Sequence, residues 1–191
     1  AYFTLSSIMK VMKNFGLYVF DAEKLSVHGG ILRVYVSSNK KKISKRLKKI
    51  LNKENDKKIF SKLKKLNRFR KKFNYKVKKL LVNLKKNKKK IYGIGAAPRA
   101  CVFLNSCNIS SKQVDLVGEV PQSIKCNKYI PGTNIMVRDE NKIITDKPDY
   151  VIILAWHLVK IITTLLTQRG YKGSFIVPLP NLRILKGKKT S

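Results

Sequence analysis

The chain has 191 residues, 43 of them Lys or Arg against 10 Asp or Glu, for a formal net charge of +33. That length allows one large domain or a small domain with an attachment. Three cysteines with no CxxC pair exclude a disulfide framework and a cysteine zinc site. They leave a reducing cytoplasm as the default compartment, and no apolar run approaches the roughly 20 residues that a membrane-spanning helix needs.

In chain order, residues 1–36 read as a helix and two strands. Thr4 and Ser6 suit a helix start, Leu5, Ile8, Met9, Met12 and Phe15 give it an apolar face, and Gly16 closes it. Residues 17–20 form a short strand and 31–36 a second, separated by His28-Gly29-Gly30, where two glycines permit a sharp turn. So few elements cannot bury a core, and Ala1 is not an initiator residue. The segment is therefore expected to be the tail of a domain that starts earlier.

Residues 38–90 carry most of the charge. Ile43, Leu47, Ile50 and Leu51 mark a short helix, with a break at 52–56. Ile59, Leu63, Leu66, Phe69, Phe73, Val77, Leu80, Leu81 and Leu84 then recur every three or four residues. This is a long amphipathic helix with a lysine-covered outer face. Its apolar stripe suits a protein core, with a helix lying on anionic lipid as the other reading. Such charge invites a nucleic-acid reading, yet it is nearly all lysine, and arginine, which contacts bases and phosphates bidentately, is scarce. Abundant Lys, Asn and Ile match the bias of an AT-rich genome. No specific nucleic-acid partner is expected, only weak polyanion affinity at low salt.

From residue 91 strands and helices alternate. A strand at 91–92 leads through Gly93 and Gly95 to a helix over 98–107, with Pro98 in its first turn. A strand over 114–120, a loop over 125–138 with a short strand at 135–137, an apolar strand over 149–156, a helix over 157–169 and a strand over 174–177 follow. This order predicts an α/β fold: a Rossmann-like parallel sheet with helices on both faces, preceded by the lysine-rich helical connector. The segments are then 1–37, 38–90, 91–185 and a disordered tail, 186–191.

In such a sheet, ligands bind beyond the carboxyl ends of the strands. Gly93, Gly95 and Ala96 bring backbone N–H groups to a helix N-terminus, a setting that favours phosphate, and Arg99 adds a guanidinium. Trp156 offers a stacking face and His157 starts the next helix. The loop Tyr129-Ile130-Pro131-Gly132-Thr133 is placed to close over them. His28, at a glycine loop tip, is free to face a ligand. No nucleophile triad, paired carboxylates or metal-ligand spacing appears, so the pattern is that of a binding module.

Several motifs together resemble the bacterial sugar C-methyltransferases. Tyr2-Phe3-Thr4-Leu5-Ser6-Ser7 resembles the family's Tyr-Phe-Ser helix start, and His28-Gly29-Gly30-Ile31-Leu32-Arg33 its His-Gly-Gly-(Ser/Thr)-(Leu/Ile)-Arg motif. Residues 92–105 resemble its Tyr-Gly-Ala-Pro-Ala-Lys…Leu-Asn loop and helix. Ile130-Pro131-Gly132-Thr133 is similar to Thr-Pro-Gly-Thr, and Pro148-Asp149-Tyr150…Ala155-Trp156 to Pro-Asp-Tyr…Ala-Trp-Asn.

The resemblance implies an S-adenosylmethionine-dependent enzyme acting on a nucleotide-linked keto-sugar. This chain would be its C-terminal, substrate-holding part, inactive alone. The methyl-donor loop, an acid–base cluster and a zinc module are expected before residue 1, so this chain itself would bind neither zinc nor S-adenosylmethionine. It further implies that His28 assists catalysis, and that Tyr92, Gly93, Gly95, Ala96, Arg99, Asn105, Pro131, Gly132, Thr133, Trp156 and His157 hold the nucleotide-sugar. His157 replaces the family's asparagine, and Pro98 is displaced by one position. The competing readings are a basic nucleic-acid-binding protein and a nicotinamide-dependent oxidoreductase. The latter lacks a third glycine in the turn and has only Glu119 as a ribose-binding acid.

Overall fold

A computed structural model describes residues 3–26, 30–54 and 59–187. The chain divides into two compact units, Ala1–Arg68 and Phe69–Ser191.

The first unit holds helix α1 (Leu5–Asn14), strands β1 (Tyr18–Leu25) and β2 (Ile31–Ser37), helix α2 (Lys45–Glu54) and the start of helix α3 (Ile59–Lys86). The Thr4 side chain accepts a hydrogen bond from the Ser7 amide and caps α1. Both Glu54 carboxylate oxygens accept from the Leu5 and Ser6 amides, at 2.7 and 3.0 Å. Strands β1 and β2 form an antiparallel hairpin from Tyr18↔Ser37 to Leu25↔Ile31. The first strand is twice as long as residues 17–20 predict. The part beyond Phe20 carries Asp21 and Glu23, which pair with Arg46 of α2, so an apolar alternation rule misses it. Leu5, Val19, Ala22 and Leu47 are the buried core of this unit.

The second unit contains β3 (Ile91–Ile94), α4 (Pro98–Ser106), β4 (Leu116–Glu119), β5 (Tyr129–Ile130) and β6 (Ile135–Asp139). After these come α5 (Asn141–Asp146), β7 (Tyr150–Ile153), a 3-10 turn at Trp156–Leu158, α6 (Val159–Gln168), β8 (Ser174–Val177) and β9 (Arg183–Leu185). The strands form one sheet in the order β5-β6-β4-β3-β7-β8-β9. Its five inner strands run parallel, and β5 and β9 are antiparallel edges. Every residue of β3 is buried, as expected of a strand covered on both faces.

On one face α3 and α4 bury Val77, Leu81, Ala100, Phe103 and Leu104. On the other, Ile143 of α5 and Leu166 of α6 meet Val151, Ile153 and Phe175. This is the Rossmann-like α/β architecture that the alternation of elements predicts. Three short elements are additions to that reading: α5, the strand at Tyr129–Ile130 within the expected loop, and β9. The helix expected over 157–169 opens as the 3-10 turn and becomes α-helical at Val159. Within α3, Leu66 and Phe69 are more than half exposed, whereas Val77 and Leu81 of the same stripe are completely buried.

Candidate functional site

Strand β3 leaves the sheet through Gly95, whose φ of 93° favours glycine. A Cβ there would lie 3.0 Å from that of Ala155, so the turn passes directly beside the end of β7. Two residues earlier, within β3, a Cβ on Gly93 would come within 2.8 Å of Val117 and 3.1 Å of Leu154, and glycine there admits those two core side chains. The Gly95 amide extends the ladder to the Gly118 carbonyl at 2.9 Å.

The helix N-terminus that follows is partly satisfied from within the protein. The Ala96 amide donates to Glu119 Oε2 at 2.9 Å, and the Lys125 ammonium lies 3.3 Å from the same oxygen. Pro98 has no N–H, and the Ala100 amide bonds back to the Ala97 carbonyl at 2.8 Å. The turn therefore offers an incoming anion fewer open amides than the sequence pattern implies.

A cavity of about 440 Å³ opens beside this turn, lined by Ala96, Ala97, Pro98 and Cys101 on one side. Ile124, Lys125, Lys128, Tyr129, Ile130, Pro131 and Val137 form the other. Ile124 and Tyr129 are 84% and 59% exposed, so two large apolar groups meet water beside two ammonium groups.

The loop that walls the cavity is held by residues singled out in the sequence. Asn105 Nδ2 donates to the carbonyls of Cys101 and Pro131, each at 2.9 Å, and pins the loop to α4. Gly132 has φ 76°, and a Cβ there would collide with Asn105 Oδ1 at 2.3 Å. Thr133 is buried; its hydroxyl donates to the Ile130 carbonyl at 2.8 Å and accepts from the Ile135 amide. Asn105, Gly132 and Thr133 thus shape the loop, while Ala96 and Pro131 line the cavity.

The remaining expected residues lie elsewhere. The Tyr92 hydroxyl donates to Asp146 at 2.6 Å. Asp146 precedes β7 and Lys90, over the Tyr92 ring, precedes β3, so Tyr92 points to the amino edge of the sheet. Burial, then Asp146 itself, pushes the Tyr92 phenol up, and the Tyr92 hydrogen bond holds the Asp146 carboxyl below its ordinary range. Trp156 packs at 6.0 Å against Phe103, its ring partly buried. His157 is exposed in the 3-10 turn, and Arg99 is exposed in the first turn of α4. Neither lines the cavity. His28 lies outside the described residues.

Lys125, Lys128 and Ile124 complete the site beyond the sequence expectation, and Glu119, weighed in the sequence only for a nicotinamide site, holds the turn. The two lysines are hidden there by the lysine bias of the whole chain. Among the described residues no group of three or more His, Cys, Asp or Glu is placed to hold a metal ion. No described helix is long and apolar enough to cross a membrane.

Comparison with known proteins adds two findings. A family model described as the C-methyltransferase C-terminal domain matches residues 26–180. C-methyltransferase NovU of Streptomyces niveus is 23% identical over 195 residues, covering all of this chain and 46% of that protein. The chain thus spans about half the length of the curated relative it matches.

Proposed function

From the premise that the chain belongs to the C-methyltransferase C-terminal domain family, we propose that it is the nucleotide-sugar-binding part of an S-adenosylmethionine-dependent enzyme that methylates a keto-sugar on carbon. The observation that carries this reading is the cavity at the carboxyl edge of the sheet, where an apolar wall adjoins Lys125 and Lys128. An apolar wall suits a nucleobase, and two ammonium groups suit a diphosphate. Arg99, in the neighbouring first turn of α4, adds a cation for the same ligand.

In this reading His28 assists removal of the proton beside the keto group, from its place in the His-Gly-Gly motif. S-adenosylmethionine supplies the methyl group, and both it and zinc belong to parts of such enzymes that this chain does not match.

Calorimetric titration of the 191-residue chain with thymidine diphosphate glucose, NAD and duplex DNA tests the proposal. The nucleotide-sugar is expected to bind at physiological salt, and the double substitution Lys125→Ala, Lys128→Ala to weaken it about tenfold or more. Binding of NAD alone, or of DNA alone with a steep salt dependence, would count against the reading.

A further inference from the structure

We propose that the outer side of α6 is a self-contact, through which two copies of the chain pair α6 against α6, antiparallel, about a two-fold axis. None of the α6 residues lines the cavity beside Ala96 and Lys125, so the pairing is independent of the nucleotide-sugar reading.

Helix α6 packs on the sheet through Val159, Ile162 and Leu166. A helix docked in this way is expected to turn a polar, charged side to water. α6 does not. From its cap at Leu158 to Gln168 the exposed residues are Leu158, Lys160, Ile161, Thr164, Leu165 and Gln168, and one of these six is charged. On α2 the exposed residues are Lys45, Arg46, Lys48, Lys49, Asn52 and Lys53, five of them charged and none apolar. Leu158, Ile161 and Leu165 leave 39%, 57% and 51% of their surface to water. Spaced three and then four residues apart, they form a narrow seam of the kind along which two helices interdigitate. Arg169, just past the helix, is drawn aside to Glu140 at 2.6 Å and to Asn141.

Charge identifies the occupant. With a net charge of +33, two copies repel each other as they approach. A two-fold contact sets a patch against itself, so contact through a lysine-covered face would place like charges opposite one another. Contact through α6 avoids this. Its one cation, Lys160, is turned about 100° around the helix from Ile161 and reaches water from the flank of the seam. A single flanking cation gives an acidic protein or a nucleic acid little to hold. The partner that suits this patch is apolar and uncharged where it touches, as α6 itself is. Antiparallel pairing brings Leu158 against Leu165 of the partner subunit, with Ile161 near the axis. Six exposed residues per copy fall short of the roughly 20–30 of a standard interface, so the dimer is expected to be weak, with a Kd of about 10–100 µM at physiological salt. Because the opposing force is long-range repulsion, salt is expected to tighten the dimer.

Sedimentation velocity of the 191-residue chain, over about 5 to 500 µM protein and at about 50 and 500 mM salt, tests this. The dimer fraction is expected to rise with concentration, and the Kd to fall about threefold or more at the higher salt. Ile161→Lys with Leu165→Lys, which gives α6 the surface pattern of α2, is expected to be monomeric throughout. Both side chains are more than half exposed, so the fold should survive, and circular dichroism checks it. Should the double variant prove unfolded, Leu165→Lys alone is measured, with a Kd expected to be at least about tenfold weaker. A wild type that stays monomeric at the highest concentration and salt overturns the pairing and leaves the face to another partner. A dimer that weakens as salt rises, or one that persists in a folded variant, overturns it as well. None of these results bears on nucleotide-sugar binding, which the cavity titration reads separately.

Discussion

The hairpin unit, Ala1–Arg68, and the sheet unit, Phe69–Ser191, bury their apolar side chains on different scales. Among the described residues, the hairpin unit closes over a cluster of four buried side chains: Leu5, Val19, Ala22 and Leu47. The sheet unit has sixteen in the cluster under α3 and α4, and nine in the one under α5 and α6. The smaller unit relies correspondingly more on polar ties, such as Glu54 on the start of α1 and Arg46 on Asp21 and Glu23. Stability in a folded chain is local, and few buried contacts mean low protection. The cavity thus stands on the unit with the larger core, where a binding geometry is best kept.

Substitutions in the two cores should sharpen that contrast most. Leu104→Ala, at a fully buried position of α4, is expected to cost about 2–5 kcal/mol and to lower amide protection across β3, β4 and β7. Leu47→Ala, equally buried in the hairpin unit, is expected to cost about 2 kcal/mol. Its loss should be confined to α1, β1 and β2. Hydrogen exchange of both variants checks this, and a loss that spreads across both units in either variant would break the comparison.

Gly132→Ala comes next. Its left-handed backbone and the collision with Asn105 predict a cost of about 1–2 kcal/mol, together with weaker nucleotide-sugar binding. Thermal denaturation and calorimetry measure the two effects.

The smallest effect concerns acid. Hydrogen bonds from Arg46 and Ser44 lower the Asp21 carboxyl from 3.8 to about 2. A carboxyl lowered on folding stabilises the fold above its unfolded value, and that contribution disappears as pH falls through the folded one. The hairpin unit is therefore expected to lose protection between pH 4 and 2, and Asp21→Asn to flatten the dependence. Amide exchange followed across this interval checks it.

The main architecture was legible because the strands that build it are continuous apolar runs bounded by Gly and Pro, as in β7 between Pro148 and the turn at Trp156. The part of β1 beyond Phe20 was not, because Asp21 and Glu23 find a shared partner in Arg46 of α2, far along the chain. Edge strand β5 has two residues, too few for any alternation to register. At the site, Gly95, Ala96, Asn105 and the Pro131–Thr133 turn could be picked out by residue type. The direction of Tyr92 could not, since a side chain on a strand reaches either edge of the sheet according to its tertiary partner. Lys125 and Lys128 carried no signal among so many lysines, although Tyr129 beside them did.

The central claim, that the carboxyl-edge cavity of the sheet unit holds the nucleotide-sugar, is tested most directly by mapping amide chemical shifts as thymidine diphosphate glucose is added. Shifts are predicted to gather at Ala96, Ala97, Lys125, Lys128 and Tyr129, around the cavity. Shifts confined to the lysine-rich faces of α2 and α3, or none at all, would contradict it.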